Sequence, residues 1–167
     1  MSIALYPGSF DPFHNGHLYV VLDALDVFDK IIVGVAVNTQ KQPMFTVEER
    51  VQMIKDVFKN FNMCDGKIEV VPIAGATVDA CRRLKADILL RGVRSGADFE
   101  CEAQVAQANI KLSDGAYSTM FVPARLEFSY VSSSLVREFI RLQKSLNGIV
   151  FFTVEKFIEA KQIKEGK

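Results

Sequence analysis

The chain has 167 residues, of which 49% are hydrophobic, 10% aromatic and 24% charged, a composition typical of a globular domain and not of a disordered chain. Its 20 basic and 20 acidic side chains cancel, which argues against a general nucleic-acid binder. No apolar run approaches the ~18 residues of a membrane span, and residues 1–7 lack the pattern of a signal peptide. We therefore expect one cytoplasmic domain over residues 1–167, with no nucleic-acid or membrane partner.

Strand-like and helix-like segments alternate along the chain. Short apolar runs rich in β-branched residues predict strands over residues 2–6, 30–37, 67–72, 86–90 and 117–122. Apolar residues at helical spacing predict helices over residues 16–28, 46–60, 77–84, 98–112, 132–142 and 153–163. Thr46 and Glu49 form a capping box that opens the second of these helices.

This alternation predicts an α/β fold in which a parallel sheet of five strands is covered by helices on both faces. Open parallel sheets bind ligands at the carboxyl ends of their strands, where the strand order reverses. A ligand site is therefore expected among the loops that follow the strands, residues 7–15, 38–45, 73–76, 91–99 and 123–131.

The loop after the first strand contains both histidines of the chain, His14 and His17. Their spacing of three residues places them on roughly the same face of the first helical turn. Gly8 permits a tight turn there, and Gly16 removes a side chain where a ligand could approach. With the free amides of the helix N-terminus, the imidazoles would form a phosphate site and could stabilise charge in a transition state. Two capping or core histidines are the alternative interpretation.

Cationic and hydroxyl side chains follow the later strands. Lys41 could pair with a phosphate as a point charge, and Arg91 and Arg94 could bind phosphate in a bidentate manner. The three serines at residues 132–134 would offer hydroxyls and free amides at the start of a helix. The alternatives are a solvated lysine, surface ion pairs and simple N-capping by Ser132.

The three cysteines, Cys64, Cys81 and Cys101, do not match a disulfide or metal-ligand pattern. Their number is odd, no two form a Cys-x-x-Cys pair, and both histidines lie far from all three. We therefore expect reduced thiols and no metal site built from protein ligands.

The segment at residues 8–17, with the sequence GSFDPFHNGH, resembles the HxGH nucleotidyltransferases. Members of that superfamily have a Rossmann-like, doubly wound fold and transfer a nucleotide from a nucleoside triphosphate with release of pyrophosphate. Residues 41–50, 89–109 and 128–138 are similar to the phosphopantetheine adenylyltransferase family, and the agreement covers nearly the whole chain.

This resemblance implies transfer of the adenylyl group of ATP to 4′-phosphopantetheine by direct in-line displacement, which gives dephospho-coenzyme A and pyrophosphate. It also implies Mg²⁺ as the cofactor, a homohexamer in the cytoplasm and feedback binding of coenzyme A. Among single residues, His17 would stabilise the transition state at the α-phosphate. The ATP site would comprise Ser9, Phe10, His17, Gly92, Val93, Arg94, Glu102, Phe128, Ser129, Tyr130, Val131, Ser132, Ser133 and Ser134. The phosphopantetheine site would comprise Ser9, Lys41, Thr77, Arg91 and Asn109.

Two other functions stay open at this point. A nicotinate or nicotinamide mononucleotide adenylyltransferase is favoured by His14, since the phosphopantetheine branch more often has threonine there. A non-catalytic nucleotide-binding regulator on the same fold is the other alternative, but such a protein is expected to have lost His17 or the paired arginines. The loop around Ala76 and Thr77 is smaller and more polar than is usual in the family.

Overall fold

The computed structural model describes residues 1–37 and 43–164. Their strands form one parallel sheet of β1 (Ile3–Gly8), β2 (Lys30–Ala36), β3 (Ile68–Ile73), β4 (Ile88–Val93) and β5 (Thr119–Pro123). The spatial order is β3-β2-β1-β4-β5, so the order reverses between β1 and β4. The predicted α/β fold with five parallel strands is confirmed.

Helices cover both faces of this sheet. They are α1 (Asn15–Ala24), α2 (Val47–Phe58), α3 (Thr77–Leu84), α4 (Gly96–Leu112), α5 (Ser133–Arg141) and α6 (Phe152–Lys164). Neighbouring residues of a strand point to opposite faces, and the strand cores are apolar on both. Ile31 and Val33 pack with α1, α2, α5 and α6, whereas Leu5, Ile32 and Leu89 pack with α3. The doubly wound, Rossmann-like arrangement follows from these two apolar clusters.

Two of the predicted element boundaries are wrong by three residues or more. The first helix ends at Ala24 and not at residue 28, because the chain turns there before entering β2 at Lys30. The fourth strand continues to Val93 and does not stop at residue 90, because its last residues pair with β5, Arg91 opposite Phe121 among them. Arg91 and Gly92 therefore lie on a strand, where sequence alone predicted a loop.

The predicted capping box at the start of α2 is confirmed. The Thr46 side chain accepts a hydrogen bond from the Glu49 amide at 3.2 Å, and the Glu49 carboxylate accepts one from the Thr46 amide at 2.8 Å. Cys64, Cys81 and Cys101 are free thiols. None of the helices in the described ranges combines the length and the apolar character needed to cross a membrane.

Candidate active site

A cleft of about 290 Å³ opens at the carboxyl ends of β1 and β4, beside the point where the strand order reverses. Its walls come from the loop after β1, the first turn of α1, the end of β4, one side of α4 and the start of α5. Nine of the residues predicted from the sequence line it: Ser9, Phe10, His17, Arg91, Gly92, Arg94, Glu102, Ser132 and Ser133. The topology thus brings together residues that are up to 124 positions apart in the sequence.

His17 occupies the first turn of α1 as a neutral hydrogen-bond donor. Its Nδ1 accepts a hydrogen bond from the backbone N–H of His14 at 3.3 Å, so the proton of the neutral ring is on Nε2. Burial lowers the pKa of His17 well below 6.5, and the neighbouring His14 and Arg94 lower it further. At neutral pH the ring is therefore uncharged and has one N–H to donate.

His14 stacks on His17, with ring centroids 3.6 Å apart and an angle of 21° between the planes. Burial and the nearby Arg94 lower the pKa of His14 to about 3. A Cβ on Gly16 would lie 3.0 Å from Cε1 and 3.1 Å from Nδ1 of this ring. The missing side chain of Gly16 therefore makes room for the His14 ring, where the sequence suggested room for a ligand.

The two cleft arginines are held by acidic residues of α4. Arg91 Nε lies 3.3 Å from Glu102 Oε2, and Arg91 Nη1 donates to the Pro7 carbonyl at 3.3 Å. Arg94 donates from Nε and Nη2 to the two carboxylate oxygens of Asp98, both at 3.2 Å. These hydrogen bonds lower the pKa of Asp98. Both guanidinium groups are thereby oriented before any anion binds.

The serine hydroxyls at the start of α5 all have partners within the protein. Ser132 Oγ accepts from the Leu135 amide at 3.1 Å, Ser133 Oγ donates to the Pro12 carbonyl at 2.9 Å, and Ser134 Oγ accepts from Arg137 at 3.0 Å. They cap α5 and attach it to the loop after β1. Among the described residues, the amides of Ser133 and Ser134 have no acceptor, so the helix N-terminus is the part that can bind an anion.

Other predicted site residues do not line the cleft. Phe128 stacks instead on Tyr19 at a centroid distance of 5.0 Å, Asn109 is buried in α4, and Thr77 begins α3. The other predicted ATP-site residues that do not line the cleft are Val93, Ser129, Tyr130, Val131 and Ser134. Lys41 lies outside the described residues.

Sequence reasoning missed three polar residues of this region. Tyr6 is 5% exposed and lines the cleft, and burial raises the pKa of its hydroxyl, which stays protonated. Asp98 lines it and pairs with Arg94. Arg50 is 2% exposed and donates to the carbonyl oxygens of Ser9 and Ala36. The available signal for Arg50 was its place on the apolar stripe of α2, where a charged residue is unusual.

The residues present fit a Mg²⁺ ion carried by a triphosphate better than one held by the protein alone. Within residues 1–37 and 43–164, no three His, Cys, Asp or Glu side chains cluster closely enough to bind a metal ion. The cleft carboxylates of Asp98 and Glu102 are both paired with arginines. Mg²⁺ commonly keeps several waters and binds substrate phosphates with only one or two protein carboxylates.

Comparison with known proteins extends across all of these elements. The model of the cytidylyltransferase-like family matches residues 5–139. The phosphopantetheine adenylyltransferase of Coxiella burnetii (strain Dugway 5J108-111) is 40% identical over 97% of this chain and 98% of its own. The protein of that name from Carboxydothermus hydrogenoformans is 39% identical over 99% of both chains, and the one from Lachnoclostridium phytofermentans is 44% identical over 83% of this chain and 82% of its own.

Proposed function

The chain belongs to the cytidylyltransferase-like family and, within it, to the phosphopantetheine adenylyltransferases, and from this membership we propose that it transfers the adenylyl group of ATP to 4′-phosphopantetheine. The products are dephospho-coenzyme A and pyrophosphate. The structural observation that carries the proposal is the switch-point cleft, which brings the imidazole of His17 together with Arg91 and Arg94.

The reaction is a direct in-line displacement. An oxygen of the 4′-phosphate attacks the α-phosphorus of ATP and forms a new P–O bond. The bond from the α-phosphorus to the oxygen that bridges it to the β-phosphate breaks, and pyrophosphate leaves with that electron pair. Because a phosphate monoester is already anionic, the attacking group needs no general base, and catalysis consists of positioning and charge stabilisation.

His17 donates its Nε2 proton in a hydrogen bond to a non-bridging oxygen of the α-phosphate, where negative charge develops. Support for this role comes from the hydrogen bond between the His14 amide and Nδ1, which fixes the tautomer. Arg91, with Lys41 and Ser9, holds the phosphate of the acceptor, and Thr77 and Asn109 contact its pantetheine arm. The proposed ATP site comprises Ser9, Phe10, His17, residues 92–94, Glu102 and residues 128–134. Support comes from Ser9, Phe10, His17, Gly92, Arg94, Glu102, Ser132 and Ser133, which line the cleft, and from the free amides of α5, which can bind phosphate.

The cleft residues that bind the triphosphate would hold Mg²⁺ through its phosphate oxygens, and the ion would neutralise part of the phosphate charge. The enzyme works in the cytoplasm as a homohexamer that coenzyme A inhibits. Support for an oligomer comes from α4, because this 17-residue helix buries only Ala106 and Asn109 and leaves Val105 and Leu112 exposed. Such an incompletely covered helix is suited to packing against a second copy.

The test is release of pyrophosphate from ATP and Mg²⁺, with 4′-phosphopantetheine and nicotinate mononucleotide compared as acceptors. We expect release with 4′-phosphopantetheine alone. Release with the mononucleotide alone would show that His14 was the better guide to the substrate. Release with neither acceptor, in a protein that still binds ATP, would support a nucleotide-binding regulator.

A further inference from the structure

The segment at residues 44–46, just before α2, has all of its backbone amides paired with carboxylates. The amides of Met44 and Phe45 donate to the two carboxylate oxygens of Asp11, both at 2.9 Å. The Thr46 amide donates to Glu49 at 2.8 Å. Two acidic residues thus accept hydrogen bonds from every backbone N–H of this segment, which has no regular secondary structure.

The carbonyl groups of the same segment are paired with cations. Lys161 Nζ donates to the Met44 carbonyl at 3.1 Å. Arg50 Nε donates to the carbonyls of Phe45 and Thr46 at 3.1 and 3.3 Å. All six backbone polar groups of the 44–46 segment therefore bind charged side chains. Charge-assisted hydrogen bonds are stronger than neutral ones, and burial strengthens them further.

This network reaches the active-site cleft. Arg50, which holds the segment, also donates to the carbonyl of Ser9, a residue that lines the cleft. The backbone carbonyl of Asp11 accepts from Arg137 of α5 at 2.6 Å. A shift of the 44–46 segment would therefore displace the loop after β1 and disturb its contact with α5.

Lys161 is the member of the network that comes from the C-terminal helix. It lies on the buried stripe of α6, one turn after Ile158 and two turns after Val154. Its ammonium group is 2.6 Å from Glu49 Oε2 and 4.9 Å from the centre of the Phe45 ring. Burial alone would raise the pKa of Glu49, but hydrogen bonds from Lys161 and the Thr46 amide outweigh this effect and lower it. An apolar side chain at position 161 would be sufficient to pack α6 against the core. The ammonium group of Lys161 therefore indicates a further role, which is to orient the 44–46 segment through Met44 and Glu49.

We propose that Lys161 is a positioning residue for the active site, which acts through the Met44 carbonyl and Glu49 to hold the 44–46 segment. The inference rests on the proposed function, because Arg50, which holds the 44–46 segment, also donates to the carbonyl of Ser9, a proposed ligand of the acceptor phosphate.

Steady-state kinetics of Lys161→Met test this role, since methionine keeps the apolar stem and removes the donor. We expect the apparent KM for 4′-phosphopantetheine to rise about tenfold, the scale of losing one hydrogen bond to a charged group, with kcat and the KM for ATP within about twofold of wild type. Lys161→Arg should restore the KM, because arginine keeps the charge and the donors. The matched control is Lys156→Met, the same change on the exposed side of α6, and it should leave all three constants unchanged.

Amide hydrogen exchange tests the network without reference to activity. In Lys161→Met the amides of Met44 and Phe45 should exchange faster than in wild type, while those of β1 and β2 do not change. Unchanged exchange at residues 44–46, or a uniform loss of kcat and stability without a KM split, would overturn the inference. Glu49→Gln weakens the same network and should give a smaller shift in the same direction if Lys161→Met fails to fold. A wild-type protein that does not adenylylate 4′-phosphopantetheine would refute the proposed function, and the exchange result would still decide whether Lys161 holds the segment.

Discussion

His17 is expected to dominate catalysis at the residue scale, because the proposed mechanism assigns to it the hydrogen bond to the α-phosphate oxygen where charge develops. We predict that His17→Ala lowers kcat by about 10²–10³-fold, the scale of losing one preorganised donor to a transition-state oxyanion. The measurement is the steady-state rate of pyrophosphate release, with the Tm as a check on folding. A variant with near-normal kcat would remove His17 from the mechanism.

The two histidines also predict how stability depends on pH. Folding lowers the pKa of His14 to about 3 and that of His17 well below 6.5, so the unfolded chain binds protons that the folded chain rejects. The stability from these groups is complete above about pH 6.5 and falls as the pH drops below it, by up to about 1.4 kcal/mol per pH unit for each ring.

Histidine NMR resonances measure this effect directly, since the chain has only two histidines. We expect neither imidazole to titrate near pH 6.5 in the folded protein, because burial lowers both pKa values. The free energy of unfolding in urea should fall over the range from pH 6.5 to 4.5, and the fall should be smaller in His14→Asn. An imidazole with a midpoint near pH 6.5 would contradict the burial argument.

At the element scale, the extension of β4 decides how Arg91 works. A strand paired with its neighbour is more rigid than a loop, so Arg91 is presented to the cleft from a fixed backbone. We predict that Arg91→Ala raises the KM for 4′-phosphopantetheine more than the KM for ATP, with initial rates measured against both substrates. Because the change leaves Glu102 without its cation, the Tm of Arg91→Ala is measured alongside the rates to detect any loss of stability. Arg82→Ala, an exposed arginine of α3, is the control, and an equal rise in both KM values would refute the assignment.

At the scale of the whole molecule, α4 predicts self-association. Light scattering after size-exclusion chromatography should give about six times the 18.7 kDa mass of one chain. Leu112→Glu places a charge on the exposed apolar side of α4 and should shift the mass to smaller species. Lys144→Glu, at an exposed polar position, is the control. A wild-type mass of 18.7 kDa would refute the proposed hexamer.

The sequence alone was sufficient to predict the features that depend on residues close together in the chain. Buried strands such as β2 appear as continuous apolar runs because both of their faces are covered. The capping box of Thr46 and Glu49 was predictable because its partners lie three residues apart. The segment around His14 and His17 indicated the superfamily for the same reason, since its chemistry is concentrated in ten residues.

The tertiary structure decided which partners the polar side chains use. Ser133 looked like a phosphate ligand, yet its hydroxyl donates to Pro12, 121 residues away. The pairing of Arg91 with Glu102 depends on how α4 lies against the end of β4. Lys161 meets Met44 only because α6 packs beside α2, and no periodicity in the sequence reports that contact. Apolar periodicity records which side of an element is buried, whereas the partner of a polar group depends on the packing of elements that are far apart in the chain.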